Sequence, residues 1–284
     1  MATLIKFDWA IKRLLRNKAN FGILEGFLSE LLMEDIKIDH ILESESNQEN
    51  KYDKYNRVDL LVQNSKGELI IIEIQNDREH DYLQRILFGT SKLLVDHMDK
   101  GMKYDAIKKI ISVNIVYFDL GHGEDYIYHG TTNFIGLNKH DVLILPKKEQ
   151  DLYKTEHVYK IYPEYYIIKA NQFNDIAKNT LDEWIYFLKN EEIKDGFKAK
   201  GLKQAKEELS VLKLSDKERK EYEHWIEQQR YEYSMVVLNH KVSKWEGAEE
   251  KAMEMAKKCL KDGMDILKIA EWTGLSEDEI KKLG

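Results

Sequence analysis

A short apolar run that contains one acid constrains this chain more than any other feature. Residues 68–75 read ELIIIEIQ, so Glu73 interrupts a segment that otherwise has the composition of a buried strand. Carboxylates are rare in protein interiors, because removing their charge from water is costly. An acid in such a run therefore indicates a functional role.

A second run, residues 58–63, precedes this strand and predicts a hairpin with it. Residues 64–67 separate the two runs, and a three-residue loop with Gly67 in the left-handed conformation fits the spacing. In the register that such a loop sets, Asp59 lies directly opposite Glu73. The sequence thus predicts two carboxylates facing each other across a hairpin.

The same pairing places a third polar side chain on this face. Gln75 follows Glu73 by two residues, and side chains alternate between the faces of a strand. Two facing carboxylates can hold a hard divalent cation such as Mg²⁺, or Mn²⁺ or Ca²⁺, and an amide can orient a water. The alternative is that Asp59 and Glu73 are ordinary acids on a solvated strand face. The apolar residues on both sides of Glu73 argue against this alternative.

Hydrophobic periodicity predicts the elements around the hairpin. We expect an α/β fold with a mixed central sheet flanked by helices over residues 1–170, and an all-helical C-terminal extension over residues 171–284. The expected helices span 4–16, 20–33 and 82–98, the expected further strands span 111–118, 141–145 and 159–168, and a polar loop spans 43–54.

Composition restricts the class of protein. The formal net charge of −7 weighs against a sequence-independent DNA coat, although a local basic stripe could still meet a phosphate backbone. The single cysteine, Cys259, cannot form an internal disulfide, and no run of 18 apolar residues could span a membrane. We therefore expect a cytoplasmic protein without a membrane segment.

Five blocks of the sequence resemble the successive blocks of the PD-(D/E)xK family transposases, also called recombination-promoting nucleases. The blocks are KFDWAIKRLL, RVDLLV, IIEIQ, YLQRILFGTSKLL and GMKYDAIKKIISVNIVYFDL, and they occur in the order of the family over residues 4–150. The resemblance implies a restriction-endonuclease-like core, divalent-metal-dependent DNA endonuclease activity, DNA as the partner, and a role in recombination or mobile elements.

The resemblance also implies roles for single residues. Asp59 and Glu73 fall on the two acidic metal ligands of the family, and Gln75 falls on a position that is lysine in the broader superfamily. Lys12 falls on the lysine of the N-terminal helix block, and Arg85 falls on the arginine of the helix after the hairpin. Because an amide carries no charge, Lys12 or Arg85 must supply the positive charge, or the activity is weak.

Three alternatives remain open at this point. Glu25 or Glu30 could serve as the acid that many superfamily members carry on their first helix. The chain could also be a catalytically degenerate nuclease fold that acts as a DNA-binding or protein-interaction module. The tail, IAEWTGLSEDEIKKL, resembles half of a helix-turn-helix, but the acids that open its second helix favour a packing module, and so a possible homo-oligomer through the helical extension.

Overall fold

The chain divides into two compact units, Met1–Ser215 and Asp216–Gly284. The computed structural model describes residues 4–13, 17–42, 59–98 and 101–284. The predicted polar loop at 43–54 and Val58 lie outside the described residues.

A mixed six-stranded sheet forms the centre of the first unit, in the order β1-β2-β3-β4-β6-β5. β1, β2 and β3 pair antiparallel, β3, β4 and β6 pair parallel, and β5 returns antiparallel to β6 at the edge. The predicted mixed sheet is therefore confirmed. The strands are β1 Ile38–Leu42, β2 Leu60–Asn64, β3 Leu69–Gln75, β4 Ile110–Val116, β5 Ile127–Gly130 and β6 Glu164–Lys169.

Helices flank this sheet and form all of the second unit. The helices of the first unit are α1 Phe7–Arg13, α2 Phe21–Leu32, α3 Tyr82–Asp96, α4 Lys147–Tyr153, α5 Thr180–Asn190 and α6 Leu202–Glu208. Those of the second unit are α7 Asp216–Lys261, α8 Ile266–Thr273 and α9 Glu277–Lys281. No helix in the described ranges is long and apolar enough to cross a membrane.

The hairpin of β2 and β3 has the predicted register. Leu60 pairs with Ile72, and the ladder runs without a shift to Gln63 and Leu69. Gly67 has a φ of 80°, the left-handed conformation that the three-residue loop requires. The register extended by one pair places Asp59 opposite Glu73.

An aromatic core joins α1, α2 and α5. The ring of Phe7 lies 5.8 Å from that of Phe27 and 6.2 Å from that of Trp184, both edge to face. Trp184 also donates a hydrogen bond from Nε1 to the carbonyl of Lys200, at 3.0 Å. The predicted domain boundary at residue 170 thus lies inside this unit, because later residues complete its core.

Two short strands were not expected, and two expected strands differ from the prediction. β1 and β5 contain four or five residues each and lie at the sheet edges with half-exposed side chains, so they lack a continuous apolar run. The expected strand at 141–145 forms only isolated bridges, Ile135 with Val142 and Ile144 with His157, and does not join the sheet. The strand expected at 159–168 begins later, at Glu164, after a turn of 3₁₀ helix.

In the second unit, α8 and α9 pack against the C-terminal end of α7. Their shared core contains Ala256, Ile269, Leu275 and Ile280. Ser276 begins α9 with a capping box, since its Oγ accepts from the amide of Glu279 and the Glu279 carboxylate accepts from the amide of Ser276.

Candidate active site

Glu73 lies in the middle of the sheet and is almost fully buried. Only 5% of its surface is exposed, and it sits between Ile72 and Ile74 on a strand that pairs on both sides. Its Oε2 atom is buried and has no hydrogen-bond partner. A buried carboxylate oxygen without a hydrogen-bond partner is costly, so this position favours a proton or a nearby cation.

Asp59 lies next to Glu73, as the register predicts. It precedes β2, and its Oδ2 accepts a hydrogen bond from the amide of Ile74, at 2.7 Å. This contact fixes the Asp59 carboxylate beside the strand that carries Glu73. The structure therefore brings the two predicted metal ligands together.

Burial and the neighbouring charges together shift the pKa of the Glu73 carboxyl. Burial raises the pKa of Glu73 to about 7, Arg85 opposes this shift, and the carboxylates of Asp59 and Glu79 add to it. The Arg85 Nη2 atom lies 3.9 Å from Glu73 Oε2, which is close enough for attraction but too far for a hydrogen bond. Near neutral pH, the carboxyl of Glu73 therefore exchanges readily between its protonated and ionised forms.

The donor set fits a divalent ion that keeps part of its water. Glu73 supplies an oxygen without a hydrogen-bond partner, and Asp59 supplies a second carboxylate, one oxygen of which is held by the amide of Ile74. Among the described residues, no group of three or more His, Cys, Asp or Glu side chains gathers to hold a metal. Main-chain carbonyls and waters would complete the shell, as is usual for Mg²⁺.

Gln75 and Arg85 meet at a carboxylate that the sequence did not single out. Arg85 Nη1 donates to Glu79 Oε1 at 2.7 Å, and Gln75 Nε2 donates to the same oxygen at 3.0 Å. Arg85 Nη1 also lies 3.4 Å from Gln75 Oε1. Glu79 thus ties the guanidinium and the amide together, and the positive charge of Arg85 lies beside both Gln75 and Glu73.

Tyr82 and Asn114 form a buried polar layer beneath these groups. The Tyr82 hydroxyl donates to Asn114 Oδ1 at 3.4 Å, and Asn114 is the neighbour of Glu73 on β4. Burial, together with the charge of Glu73, raises the pKa of Tyr82 far above its usual range, so its hydroxyl remains a donor. The Arg85 guanidinium lies 5.9 Å from the centre of the Tyr82 ring.

Asp8 of α1 reaches the same end of the sheet, although it was not among the predicted site residues. Its side chain is buried, and its Oδ2 accepts from Nδ2 of Asn76, the residue after Gln75, at 3.2 Å. One signal was available: Asp8 is the only acid in the block KFDWAIKRLL and lies four residues before Lys12, on the same helical face. Lys12 lies in α1, and its side chain is outside the described part of the structure.

The other two acids considered, Glu25 and Glu30, are engaged in structural contacts of α2. Glu25 Oε1 accepts from the amide of Ile38 at 3.0 Å, which anchors the start of β1. Glu30 accepts from the hydroxyl of Thr180 at 2.5 Å and from the amide of Lys200 at 3.0 Å. Their contacts hold α2 to its neighbours and involve none of the site residues described above.

Comparison with known proteins identifies two segments. The model of the family described as PD-(D/E)XK nuclease family transposase matches residues 5–238, and that described as Rpn/YhgA-like nuclease family, C-terminal HTH domain, matches residues 249–284. The second match favours a helix-turn-helix over the packing module that the acids of α9 suggested. No curated protein and no solved structure matches the chain.

The first match extends well beyond the residues that carried the resemblance and covers most of the chain. It includes the mixed sheet with its flanking helices, which is the arrangement of a PD-(D/E)xK nuclease fold, and the hairpin that carries Asp59, Glu73 and Gln75. The chain therefore belongs to the PD-(D/E)XK nuclease family transposases.

Proposed function

We propose that this protein is a divalent-metal-dependent DNA endonuclease that acts in DNA recombination or mobile-element activity. The observation that supports this activity most directly is the Oε2 atom of Glu73, which is buried without a hydrogen-bond partner beside the carboxylate of Asp59. A fold that needed only stability would replace such an acid by an apolar residue. Asp59 and Glu73 would hold the ion.

The surrounding residues would position the reactants. A bound divalent ion would neutralise charge at the phosphate and make a water more acidic. Gln75, held by Glu79 through its amide nitrogen, would orient the attacking water with its carbonyl oxygen. Arg85, fixed by the same carboxylate, would stabilise the negative charge that develops on the phosphate, and Lys12 on α1 is the second candidate for this role.

DNA is the partner that both matched families indicate. The helix-turn-helix domain at residues 249–284 would contribute affinity for DNA outside the cleavage site. The acids at the start of α9 would weaken phosphate contacts from that helix, so we expect this domain to add only modest affinity, with a shallow dependence on salt.

A second candidate is a nuclease fold that binds DNA or protein without cleaving it. Gln75 stands where the superfamily has lysine, and an amide cannot stabilise the transition state by charge. The net charge of −7 weakens attraction to DNA, so in such a module it would favour protein over DNA as the partner.

The test is the nicking of supercoiled plasmid by the full chain in Mg²⁺, Mn²⁺ or Ca²⁺. Asp59→Ala and Glu73→Gln are expected to lower the rate by at least about 100-fold, because each removes a ligand of the ion. Glu68→Gln, at the other end of the same hairpin, is the control and should cleave at the rate of the parent protein. Equal rates for Glu73→Gln and the parent would exclude this site.

A thermal melt separates the two candidates. An ion that binds the native state raises the melting temperature by mass action, and Glu73→Gln should lose that rise. A folded parent protein that neither nicks plasmid nor responds to any of the three ions would favour the binding module.

A further inference from the structure

The middle of α7 exposes large apolar side chains at regular spacing. The steps between them alternate between four and three residues, and each keeps between 36% and 69% of its surface exposed. This alternation is typical of a helix that packs along a second helix. We call these five residues the seam: Tyr231, Met235, Leu238, Val242 and Trp245.

The same spacing continues toward the C-terminus, and there the chain covers it. Ala252, Ala256 and Cys259 follow in step and pack into the core that α7 forms with α8 and α9, where Ala256 is fully buried. Glu249 separates that covered part from the seam. One face of α7 is thus buried wherever α8 and α9 reach it, whereas the seam is exposed in the part of the chain that the structure describes.

We propose that the seam binds the seam of a second copy of this chain and forms a parallel, two-stranded coiled coil. A second copy offers an identical stripe of matching length, about 21 Å from Tyr231 to Trp245 at the rise of an α-helix. In the heptad that the spacing defines, Val242 occupies an a position and Leu238 a d position. This combination favours two strands over three or four.

The charges beside the seam support the parallel orientation. Lys241 precedes Val242 in a g position, and Glu246 follows Trp245 in an e position, five residues later. In a parallel pair in register, Lys241 of each copy lies beside Glu246 of the other. Glu227 and Glu232 also occupy g and e positions five residues apart, so Glu227 of each copy would repel Glu232 of the other. We therefore expect the coil to begin near Tyr231.

This surface goes beyond the proposed nuclease activity and does not depend on it. The coil concerns assembly, and its residues lie on a helix that contains none of the site residues. A mass measurement therefore tests the coil whether or not the protein cleaves DNA.

The experiment is the molar mass of the full chain in solution, measured by light scattering from about 1 to about 100 μM. The parent protein is expected to form a dimer. Leu238→Asp and Val242→Asp should each weaken dimerisation by at least about 100-fold, because a symmetric interface would then bury two unpaired charges. Val236→Asp is the matched control, since it places the same charge on an exposed valine of the same helix outside the seam.

A charge reversal tests the orientation. Lys241→Glu and Glu246→Lys should each weaken the dimer, and the double variant should restore it. Circular dichroism of every variant checks that α7 stays helical. A monomeric parent protein at 100 μM, a dimer that tolerates Leu238→Asp, or a double variant weaker than both single variants would each overturn the proposal.

Discussion

Glu73 is destabilising to the ion-free protein at neutral pH. Its pKa is about 7 in the folded chain against 4.5 for an ordinary glutamate, so the folded state holds the proton more tightly. Below pH 4.5 both states are protonated and the effect vanishes. As the pH rises through this interval, the free energy of unfolding should fall by about 3 kcal/mol on account of this group.

Glu73→Gln should remove that fall. We predict that in EDTA the variant matches the parent protein near pH 4.5 and exceeds its free energy of unfolding by a few kcal/mol at pH 8. Urea unfolding at both pH values measures the difference between the two proteins. Parallel stability profiles for parent and variant would show that the carboxyl of Glu73 is not desolvated.

Some residues of the site could be predicted from sequence, and others could not. Asp59 and Glu73 are joined by a tight hairpin, so local rules of loop length and alternation place them together. Asp8 contacts Asn76 across 68 residues of sequence, and only the packing of α1 against the sheet end creates that contact. Glu79 was missed for a different reason, since an acid in a polar turn looks like an ordinary surface residue.

Among the elements, α2 packs against the turn before α6 so closely that one position requires glycine. A Cβ atom on Gly26 would lie 2.6 Å from the Cα of Gly201 and would also collide with the carbonyl of Lys200. A Cβ on Gly22, one turn earlier, would meet only the end of the flexible Gln204 side chain. The two glycines form a matched pair on one helix.

Gly26→Ala is therefore expected to lower the free energy of unfolding by about 2 kcal/mol or more, because backbone atoms must move apart. Gly22→Ala should change it by less than about 1 kcal/mol, since alanine favours the helix but moving Gln204 away costs its hydrogen bond to the carbonyl of Ala19. Chemical denaturation of both variants provides the comparison. Similar losses in the two variants would contradict the close approach.

Strands of the sheet differed in how well the sequence predicted them. The runs that became β3 and β4 are long and apolar because both faces of these strands are buried. β1 and β5 are short edge strands that expose part of their side chains, so no sequence period marks them. The apolar residues near 141–145 resembled a strand by composition, but pair only through isolated bridges.

For the whole molecule, the boundary between the units determines which fragments fold. Residues after α5 complete the first unit: the amide of Ile5 donates to the carbonyl of Leu209 at 2.8 Å, and Leu202 and Leu209 are buried. The absence of strand patterns after residue 170 predicted a division there. Helices that complete an α/β core cannot be told from helices of a separate unit by periodicity.

We predict that a chain ending at Ser215 folds and retains metal-dependent nicking, whereas a chain ending at Asn190 does not fold. The shorter fragment lacks α6 and the segment that packs on Ile5, and so exposes its core. Circular dichroism and plasmid nicking of both fragments measure the outcome. A folded, active fragment ending at Asn190 would show that α6 is dispensable.

The Glu73 oxygen that lacks a hydrogen-bond partner also bears on how long the protein survives in a cell. An ion that binds only the native chain lowers the population of open molecules, and proteases degrade chains largely from that population. If Asp59 and Glu73 hold an ion as proposed, the protein should be degraded faster when divalent cations become scarce. Ion supply would then set the abundance of the protein through turnover, and its abundance and its activity would decline together.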